Sequence, residues 1–415
     1  MVRRLVNYLE IAQILVTSGD SSHELGPVDA VFFSHDNNRG ESLQGRAWNR
    51  LEDPIAGIWR AMGFSEARIA YPYSRLGDHR AHGSPALINR SAIKKRFSAR
   101  IQGYREEPSP ASIEMYSRLL RRTNPRLVFT MNLPPALPTA ARSLDIPVVE
   151  VVHGKGYATI PWGWADVERE QLPNAAMTFD ALSAQTFGKL GPRGVRNFYV
   201  QDPWVKIFLD DPSSLPREWL WPRELSDGWD RVVLLTLQWE GHAARNPEEP
   251  SSNLLENTPF LRTLESVFDK TVGDTLWLLR LHPVQLRQAR YGWMRQRLDR
   301  MGLGRPNLEW QRASTLPLPA VLQASTHHMS MRSGSTYEAA MMGVPTALIS
   351  TTLNPGNSHS DAFSDLREAG YVRLLDISKE DSVLDWLKSE RRKRPLVAGC
   401  PVTVEACLRD LTQSL

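Results

Sequence analysis

The chain has 415 residues, 41% of them hydrophobic, with 50 basic and 46 acidic residues and a formal net charge of +4. This length is sufficient for two α/β domains with separate cores, and so mild a positive excess does not by itself indicate nucleic-acid binding. The two cysteines, Cys400 and Cys407, have no histidine partners at metal spacing, so the sequence supports neither a disulfide framework nor a zinc site.

No stretch approaches the roughly 18 consecutive apolar residues of a membrane helix, and the N-terminus lacks the apolar region and cleavage site of a signal peptide. We therefore expect a cytoplasmic protein. Its basic clusters are typical of solvated helix faces, which leaves a peripheral contact with the inner face of the membrane open as an alternative. These clusters are residues 94–96, Arg118 with Arg121 and Arg122, and residues 391–394.

In the first half of the chain, short β-rich runs alternate with helical stretches. We predict strands over residues 28–34, 67–70, 125–131 and 146–152, and helices over residues 54–62, 91–123 and 138–144. Such an alternation is typical of a parallel sheet with helices on both faces. The sequence therefore predicts an N-terminal Rossmann-like domain over residues 1–209.

Residues 210–230 are interrupted by three prolines, and we interpret them as a linker. The pattern then restarts with predicted strands over residues 230–237, 275–281 and 346–350. This predicts a second doubly wound domain over residues 231–415. Its last helix, residues 402–411, has the alternative of packing back on the N-terminal domain.

The segment from Met331 to Ile349 carries most of the functional information. It opens with a Gly/Ser turn, continues as a short Ala- and Met-rich helix that contains Glu338, and stops at Gly343 before an apolar strand. Small hydroxyl residues that open a helix leave outward-facing N–H groups and the positive dipole end, which favour phosphate. Glu338 would then reach the ribose. A Ser-capped helix also occurs in α/β proteins without any ligand, and this alternative stays open.

In open parallel sheets, ligands bind beyond the carboxyl ends of the strands. The candidate site residues are therefore those that directly follow predicted strands: His35 and Asp36, His153 and Gly154, residues 238–242, His282 and Pro283, and residues 333–338. A lone histidine in such a place is often only a hydrogen-bonded loop residue, so the argument requires several of them to meet in one cleft. The neighbouring side chains of His327 and His328 diverge, and we expect no metal.

Three of these segments resemble the motifs of one enzyme group. Residues 280–283, Arg-Leu-His-Pro, resemble its "HP" motif, and Ser333-Gly334-Ser335-Thr336 with Glu338 resembles its serine-containing donor motif. Residues 146–154 are similar to its strand and "HG" motif. The group is that of the GT-B glycosyltransferases that build bacterial capsule, polysialic acid and, as CDP-glycerol glycerophosphotransferases, teichoic acid. The resemblance covers roughly residues 125–349 and implies two Rossmann-like domains that face a central cleft.

The resemblance implies a role for each matched residue on the donor side. His282, held by the rigid Pro283, would donate to a donor phosphate and stabilise the charge on the leaving nucleotide. Arg280 and Arg332 are further phosphate partners, with pairing to a carboxylate as the alternative. The hydroxyl and N–H groups of Ser333, Gly334, Ser335 and Thr336 would bind the same phosphate oxygens, and Glu338 the ribose. Because protein donors neutralise the phosphate, no metal and no cofactor other than the nucleotide-sugar co-substrate is required.

On the acceptor side, the resemblance makes His153 the base for the acceptor hydroxyl, or the group that orients it. Asp36 and Glu150 are rival bases, although Glu150 lies inside an apolar strand where a buried structural role is the alternative. We expect His35, Gly154 and Trp162 to bind the acceptor. Thirteen tryptophans are many, and those in loops are suited either to stacking on sugar rings or to packing. The loop tryptophans are Trp162, Trp164, Trp219 and Trp221.

These observations predict a glycosyltransferase that moves a sugar from a CMP-, CDP- or UDP-linked donor to a carbohydrate acceptor in bacterial surface polysaccharide synthesis. A sugar-nucleotide epimerase of the same fold is the first alternative. Such epimerases resemble each other in a Gly-Thr-Arg-Pro-Glu run after the first strand, where this chain has Ser34-His35-Asp36-Asn37-Asn38. The second alternative is a nucleotide- or carbohydrate-binding protein without catalysis. The sequence leaves the donor base, the acceptor, the stereochemical outcome and the oligomeric state open.

Overall fold

The computed structural model describes residues 20–36, 39–72, 74, 76, 80–101, 108–210, 212–238, 254–255, 259–357, 359–396 and 402–413. It divides the chain into two compact units. The first unit comprises Met1–Trp204 together with Cys400–Leu415, and the second comprises Val205–Gly399.

Within the described residues the strands, in chain order, are β1 (Ala30–Ser34), β2 (Glu41–Leu43), β3 (Arg46–Trp48), β4 (Glu66–Ala70), β5 (Leu127–Thr130), β6 (Val148–Val151), β7 (Ala175–Thr178), β8 (Arg196–Tyr199), β9 (Arg231–Thr236), β10 (Thr275–Arg280), β11 (Leu308–Glu309), β12 (His327–Ser330), β13 (Thr346–Leu348) and β14 (Val372–Leu374). The α-helices are α1 (Glu52–Ala61), α2 (Asn89–Ile101), α3 (Pro110–Thr123), α4 (Ala136–Arg142), α5 (Ala181–Gly188), α6 (Pro203–Asp210), α7 (Pro259–Lys270), α8 (Pro283–Arg287), α9 (Gly292–Gly302), α10 (Gln311–Thr315), α11 (Leu318–Ala324), α12 (Ser335–Met341), α13 (Ser364–Glu368), α14 (Glu380–Ser389) and α15 (Val404–Gln413).

The first unit is built on a six-stranded parallel sheet in the order β4-β1-β5-β6-β7-β8, with β2 and β3 as a separate antiparallel hairpin. Every residue of β1 is buried, as in a strand with helices on both faces. Because successive side chains point to opposite faces, Phe32 packs with Trp59 of α1 and Leu408 of α15, whereas Phe33 packs with Leu120 of α3.

The second unit contains a six-stranded parallel sheet in the order β11-β10-β9-β12-β13-β14. Numbered within the unit, this order is 3-2-1-4-5-6, which is the arrangement of dinucleotide-binding Rossmann folds. Its main core packs apolar side chains of β9 and β10, such as Leu235 and Trp277, against Phe268 of α7 and Trp386 of α14. Two doubly wound parallel-sheet domains were predicted from the sequence, and the structure confirms them.

The division of the chain differs from the expected one. The second unit begins at Val205, and residues 210–230 belong to it rather than forming a linker. This segment contains short 3-10 helices, and its Trp219 and Trp221 are buried. At the other end, α15 belongs to the first unit, which is the alternative given above for the last helix, and its Cys407 and Leu411 enter the core. The proline-rich composition therefore marked an irregular segment that is packed through its tryptophans, and not a solvated connection.

Gly343 follows the end of α12, and two separate reasons require a glycine at this position. Its φ angle is +74°, in the left-handed region where a Cβ atom is strained. A Cβ atom at this position would also overlap the backbone carbonyl of Lys393. The Lys393 N–H donates to the Gly343 carbonyl at 2.7 Å, so the two segments lie in direct contact.

We expect Gly343→Ala to lower the thermal midpoint of the second unit by much more than Gly304→Ala. Gly304 has a similar φ angle of +77°, but a Cβ atom at that position meets only open space. Gly304→Ala therefore reports the backbone cost alone, about 1 kcal/mol, and Gly343→Ala adds the displacement of residues 393–395. Calorimetry of both variants measures the difference. Equal losses of stability would contradict the close packing of these segments.

Candidate functional site

The site in each unit lies where the chain reverses its direction of travel across the sheet. In the first unit the chain passes from β1 to β4 on one side and then to β5 on the other, so the loops after β1 and β5 diverge. In the second unit the same reversal separates β9 from β12. Crevices at such positions are where doubly wound sheets bind ligands. His35 and Asp36 follow β1, and the donor motif follows β12.

In the first unit, Asp36 and His35 stand on the loop that begins at the end of β1. The Asp36 carboxylate accepts a hydrogen bond from the Ser74 hydroxyl at 2.6 Å. The ring of His35 lies 6.0 Å from that of Tyr71, centroid to centroid. Burial lowers the pKa of His35, and the neighbouring carboxylate of Asp36 partly offsets this effect. His35 is therefore a neutral imidazole at neutral pH.

Glu150 has a structural position and is not accessible as a base. It lies in the middle of β6 with no exposed surface. One carboxyl oxygen accepts a hydrogen bond from the backbone N–H of Asn132 at 2.8 Å, and burial raises the pKa of Glu150 well above its usual value. A neutral, enclosed acid cannot take the proton of an incoming hydroxyl. Its observed contact fixes the loop after β5, where Asn132 adopts a φ angle of +64°.

His153 follows β6 and is the histidine of the first unit best placed for chemistry. Burial lowers its pKa to about 4, and the positive charge of Arg50 acts in the same direction. Its ring is stacked against Trp162, with the centroids 5.6 Å apart and the planes at 23°. Within the described residues, the Nδ1 atom is buried without a hydrogen-bond partner. Buried polar atoms are rarely unpaired, so this nitrogen is available to a ligand hydroxyl.

Gly154 provides space for Tyr157. A Cβ atom at Gly154 would overlap the Tyr157 hydroxyl group, which explains the small residue after the histidine. The loop that follows is anchored by Asp180, whose carboxylate accepts the Gly156 N–H at 3.1 Å and the Ser183 N–H at 2.8 Å. The structure thus brings His35, His153, Gly154 and Trp162 to one end of the first sheet.

In the second unit, buried side-chain hydrogen bonds connect β9, β12 and the start of α12. The Thr236 hydroxyl lies 3.0 Å from His328 Nε2 and 3.1 Å from the Ser335 hydroxyl. His328 Nδ1 lies 3.0 Å from the Thr346 hydroxyl. Burial lowers the pKa of His328 to about 3, so the ring is neutral and each nitrogen has a partner. The Ser335 hydroxyl therefore takes part in this interior contact. The phosphate hypothesis required it to face outward, and it does not.

The N–H groups that open α12 are also paired internally. The Ser335 N–H donates to the Ser333 hydroxyl at 3.3 Å, the Thr336 N–H to the Ser333 carbonyl at 3.0 Å, and the Tyr337 N–H to the Gly334 carbonyl at 3.0 Å. The helix has only seven residues, which limits its dipole. Ser333 thus folds back as a local cap, and these three N–H groups have internal partners, whereas the sequence hypothesis expected unpaired N–H groups here.

The side chains of Thr336 and Glu338 turn inward. Thr336 is fully buried and Glu338 is 3% exposed. The carboxylate of Glu338 is close enough to His328 to act on the pKa of that histidine. The hydroxyls of Thr336 and of Ser330, at the end of β12, are buried without a hydrogen-bond partner in the described part of the chain. The motif is therefore a polar interior that opens at the carboxyl end of the sheet.

His282 caps α8, and this cap fixes its tautomer. The ring atom Nδ1 of His282 accepts the backbone N–H of Val284 at 3.2 Å, and the backbone N–H of His282 donates to the side-chain oxygen of Gln285 at 2.9 Å. Pro283 occupies the first helical position, where a missing N–H costs nothing. Because Nδ1 is an acceptor in the neutral ring, the proton resides on Nε2. His282 therefore presents an N–H donor, which is the property that the sequence hypothesis requires.

Two glutamines join the three loops of this edge: Gln238, a candidate because it follows a predicted strand, and Gln285, which was not predicted to have a role. The side-chain N–H of Gln285 donates to the carbonyl of Gln238 at 2.9 Å, and the side-chain oxygen of Gln238 accepts the Arg332 N–H at 2.7 Å. Together they connect the loops after β9, β10 and β12. The sequence signal for Gln285 was available, since a Gln three residues after an N-cap completes a capping box.

The two candidate phosphate arginines differ in their surroundings. Arg280 is 8% exposed and its guanidinium donates to the carbonyls of Ala313 and Leu316, the second at 2.6 Å. It holds α10 against the sheet and does not reach outward. Arg332 is less buried, and one of its guanidinium nitrogens lies 3.4 Å from the Thr352 hydroxyl. Of the two, Arg332 remains the phosphate candidate.

Among the described residues, no group of three or more His, Cys, Asp and Glu side chains is arranged to hold a metal ion. No described helix is both long and apolar enough to cross a bilayer.

Comparisons with known proteins concern the fold. No protein-family model and no curated protein sequence matches this chain. The structure is similar to a putative UDP-N-acetylglucosamine 2-epimerase from Listeria monocytogenes, with a TM-score of 0.57, 12% identity and coverage of 94% of this chain and 96% of that one. It is also similar to the UDP-GlcNAc 2-epimerase from Methanocaldococcus jannaschii, with a TM-score of 0.53, 11% identity and coverage of 92% and 99%.

A third solved structure, the glycosyltransferase SnogD from Streptomyces nogalater, matches with a TM-score of 0.48, 16% identity and coverage of 94% and 100%. At such identities, the similarity to the epimerases concerns the arrangement of elements. The chain has the GT-B fold of two Rossmann-like domains. The narrower resemblance to enzymes of capsule and teichoic acid synthesis stays a prediction.

The buried histidines predict how stability depends on pH. The pKa of His328 in the folded protein is lowered from 6.5 to about 3, so this group stabilises the fold above pH 6.5 and the contribution is lost as the pH falls. At pH 5 the loss is roughly 2 kcal/mol, because the unfolded chain binds a proton that the folded chain excludes. We expect His328→Gln to remove this part of the pH dependence in urea titrations at pH 7.5 and pH 5.

His23→Gln is the control for that comparison, since the His23 side chain is 68% exposed. It should leave the difference between the two pH values unchanged. If His328→Gln kept the full pH dependence of the wild type, His328 would not be the excluded proton site.

Proposed function

We propose that the protein is a glycosyltransferase in which the second unit binds a nucleotide-sugar and the first unit binds a carbohydrate acceptor. The single observation that carries the proposal is His153, a neutral histidine after β6 whose buried Nδ1 has no hydrogen-bond partner among the described residues. A hydroxyl group of an acceptor would supply that partner. The GT-B fold, which sugar-transferring and sugar-epimerising enzymes share, supports the use of a nucleotide-sugar.

In the proposed reaction, the acceptor hydroxyl transfers its proton to His153 while its oxygen forms a bond to the anomeric carbon of the donor. The bond from that carbon to the phosphate oxygen breaks, and the nucleotide leaves with the electron pair. The Nε2–H of His282 donates to the phosphate oxygen that gains charge. This role is supported by the tautomer that the Val284 N–H imposes. Arg332 contributes positive charge to the same phosphate.

We propose His153 as the base in preference to the two rival acids, Glu150 and Asp36. Glu150 is enclosed and its raised pKa keeps it protonated, so it supports the loop at Asn132. Asp36 is already an acceptor for Ser74. His153 is a weak base because burial lowers its pKa, and it therefore abstracts the proton only as the bond to the anomeric carbon forms. The glycosylated acceptor that this reaction forms would belong to the synthesis of bacterial surface polysaccharides, as the motif resemblance implies.

Nucleotide binding is the first property to measure. We expect one of CMP, CDP, UMP, UDP and GDP to raise the thermal midpoint of the protein, because a ligand that binds only the folded state stabilises it. The affinity for that nucleotide should fall at least about tenfold in His282→Ala, which loses the Nε2–H donor, and the gain in thermal midpoint should shrink with it. His23→Ala is the matched control, and a loss of nucleotide binding in that variant would contradict the location.

Epimerisation of a nucleotide-sugar is the second candidate function. It is favoured by the solved structures with TM-scores of 0.50 and above, whose titles include UDP-GlcNAc 2-epimerases from three organisms. Against it stands the loop after β1, where this chain has Ser34-His35-Asp36 in place of the Gly-Thr-Arg run that such epimerases resemble each other in.

Proton NMR in D₂O separates the two reactions. Transfer, or slow hydrolysis without acceptor, releases the nucleotide and leaves the hydrogen at C2 of UDP-GlcNAc in place. Epimerisation at C2 exchanges that hydrogen for deuterium and forms the C2 epimer. We expect nucleotide release without deuterium at C2, and its loss in His153→Ala with nucleotide binding retained. Deuterium at C2 would overturn the transferase proposal in favour of the epimerase.

A further inference from the structure

A cavity of about 240 Å³ lies at the carboxyl end of the first sheet. It is formed by the loop after β5 and by the segment that follows β6. The residues that line it are Asn132, Leu133, Pro135, Trp162, Trp164, Val167 and Gln171. All of them belong to the first unit. We refer to it as the Trp162 cavity.

The walls of the Trp162 cavity are mainly aromatic and aliphatic. The rings of Trp162 and Trp164 meet at 63° with their centroids 5.0 Å apart, and Phe187 supports both from behind. Trp164 is 5% exposed and belongs to a core cluster, whereas Trp162 is 41% exposed. Trp162 therefore leaves part of its indole ring accessible to a ligand, and a partly accessible indole is suited to stacking on a sugar ring.

Two polar groups interrupt this apolar lining. They are the side-chain amides of Asn132 and Gln171, and neither forms a hydrogen bond within the described part of the chain. Each amide offers one acceptor oxygen and two N–H donors. Binding sites of this kind combine apolar walls with a small number of placed polar groups that fix the orientation of the ligand. The cavity thus suits a ligand with one apolar face and a polar rim.

The backbone holds this arrangement in an unfavourable conformation. Asn132 and Trp162 have φ angles of +64° and +60°, in the left-handed region that residues other than glycine rarely adopt. At Asn132 the conformation is maintained by the buried Glu150, which accepts the Asn132 N–H. Strain of this kind persists where the surrounding structure enforces it, and it is frequent at ligand sites.

We infer that the Trp162 cavity binds one pyranose ring of the acceptor, with the C–H face of the sugar against Trp162 and its hydroxyls on Asn132 and Gln171. The inference rests on the proposed function and names the part of the acceptor that the first unit holds. Trp162 connects the cavity to His153, because its ring is also stacked against the imidazole. The volume lies below the roughly 300–1,000 Å³ of sites for larger ligands, which favours a single ring. An alkyl or prenyl chain would leave both amides unused.

Saturation-transfer NMR tests this inference with defined probes, the methyl and hexyl β-glycosides of glucose, galactose and N-acetylglucosamine. We expect saturation of the C–H protons on one face of the sugar ring in at least one methyl glycoside. Trp162→Ala should weaken that binding roughly tenfold or more, and Gln171→Ala by a smaller factor. Trp293→Ala is the matched control, because Trp293 is 37% exposed and lies in the second unit.

Several outcomes would overturn the inference. These are the absence of ring saturation with every methyl glycoside, ring saturation that survives in Trp162→Ala, and saturation confined to the hexyl chain, which would indicate an apolar ligand. If Trp162→Ala does not fold, as judged by circular dichroism, Trp162→Phe and Gln171→Ala decide the question.

Nucleotide binding measured on the same samples separates the two proposals. Glycoside binding without nucleotide binding would support the Trp162 cavity and count against the transferase. Nucleotide binding with glycoside binding unaffected by Trp162→Ala would reject the cavity alone.

Discussion

All six strands of each sheet run parallel, so their carboxyl ends meet at one edge, and this constraint determines where chemistry can occur. Helices cover both faces, which leaves the diverging loops at the reversal of strand order as the open part of each sheet. His35, Asn132 and His153 gather there in the first unit, and Gln238, His282 and Arg332 in the second. The loops themselves are tied together by side chains, as with Gln285, because their backbones have no strand partners beyond the sheet edge.

Burial keeps histidines in both units uncharged at neutral pH. The pKa values of His153, His327 and His328 lie near 4, 4 and 3 because their surroundings exclude charge. A neutral imidazole is one donor and one acceptor, and the protein uses both functions. His328 is fully engaged between Thr236 and Thr346, and His282 accepts at one nitrogen and carries a proton at the other. These histidines therefore act through directed hydrogen bonds more than through a fixed positive charge.

The sequence predicted the fold more completely than the site. Buried apolar runs such as β1, β9 and β10 were recognised because their composition leaves few alternatives to a central strand. The strand β12 was not, since the sequence His327-His328-Met329-Ser330 is polar and only its hydrogen bonds make burial tolerable. The strands β7 and β14 were missed because they are short, and in β7 the alanines carry little β signal.

At the site, sequence position alone identified His153 and His282 but not what their neighbours do. The residue types expected of phosphate and ribose ligands are present at Arg280, Ser335 and Glu338. These side chains are nevertheless largely buried, and those of Arg280 and Ser335 form hydrogen bonds with interior groups. Such an outcome depends on contacts between loops that are distant in the chain, which no local pattern records. Trp162 shows the opposite case. Among the four loop tryptophans it alone is exposed, and this distinction required coordinates.

The return of α15 to the first unit makes that unit discontinuous along the chain. Val402 bridges to Val200, and the apolar face of α15, with Val404, Cys407 and Leu408, completes a core that β1 and α1 begin. During synthesis on the ribosome, the second unit is therefore fully translated before the last helix of the first unit emerges. The first unit must wait with part of its apolar surface uncovered, and the second unit is the one that can complete its folding first.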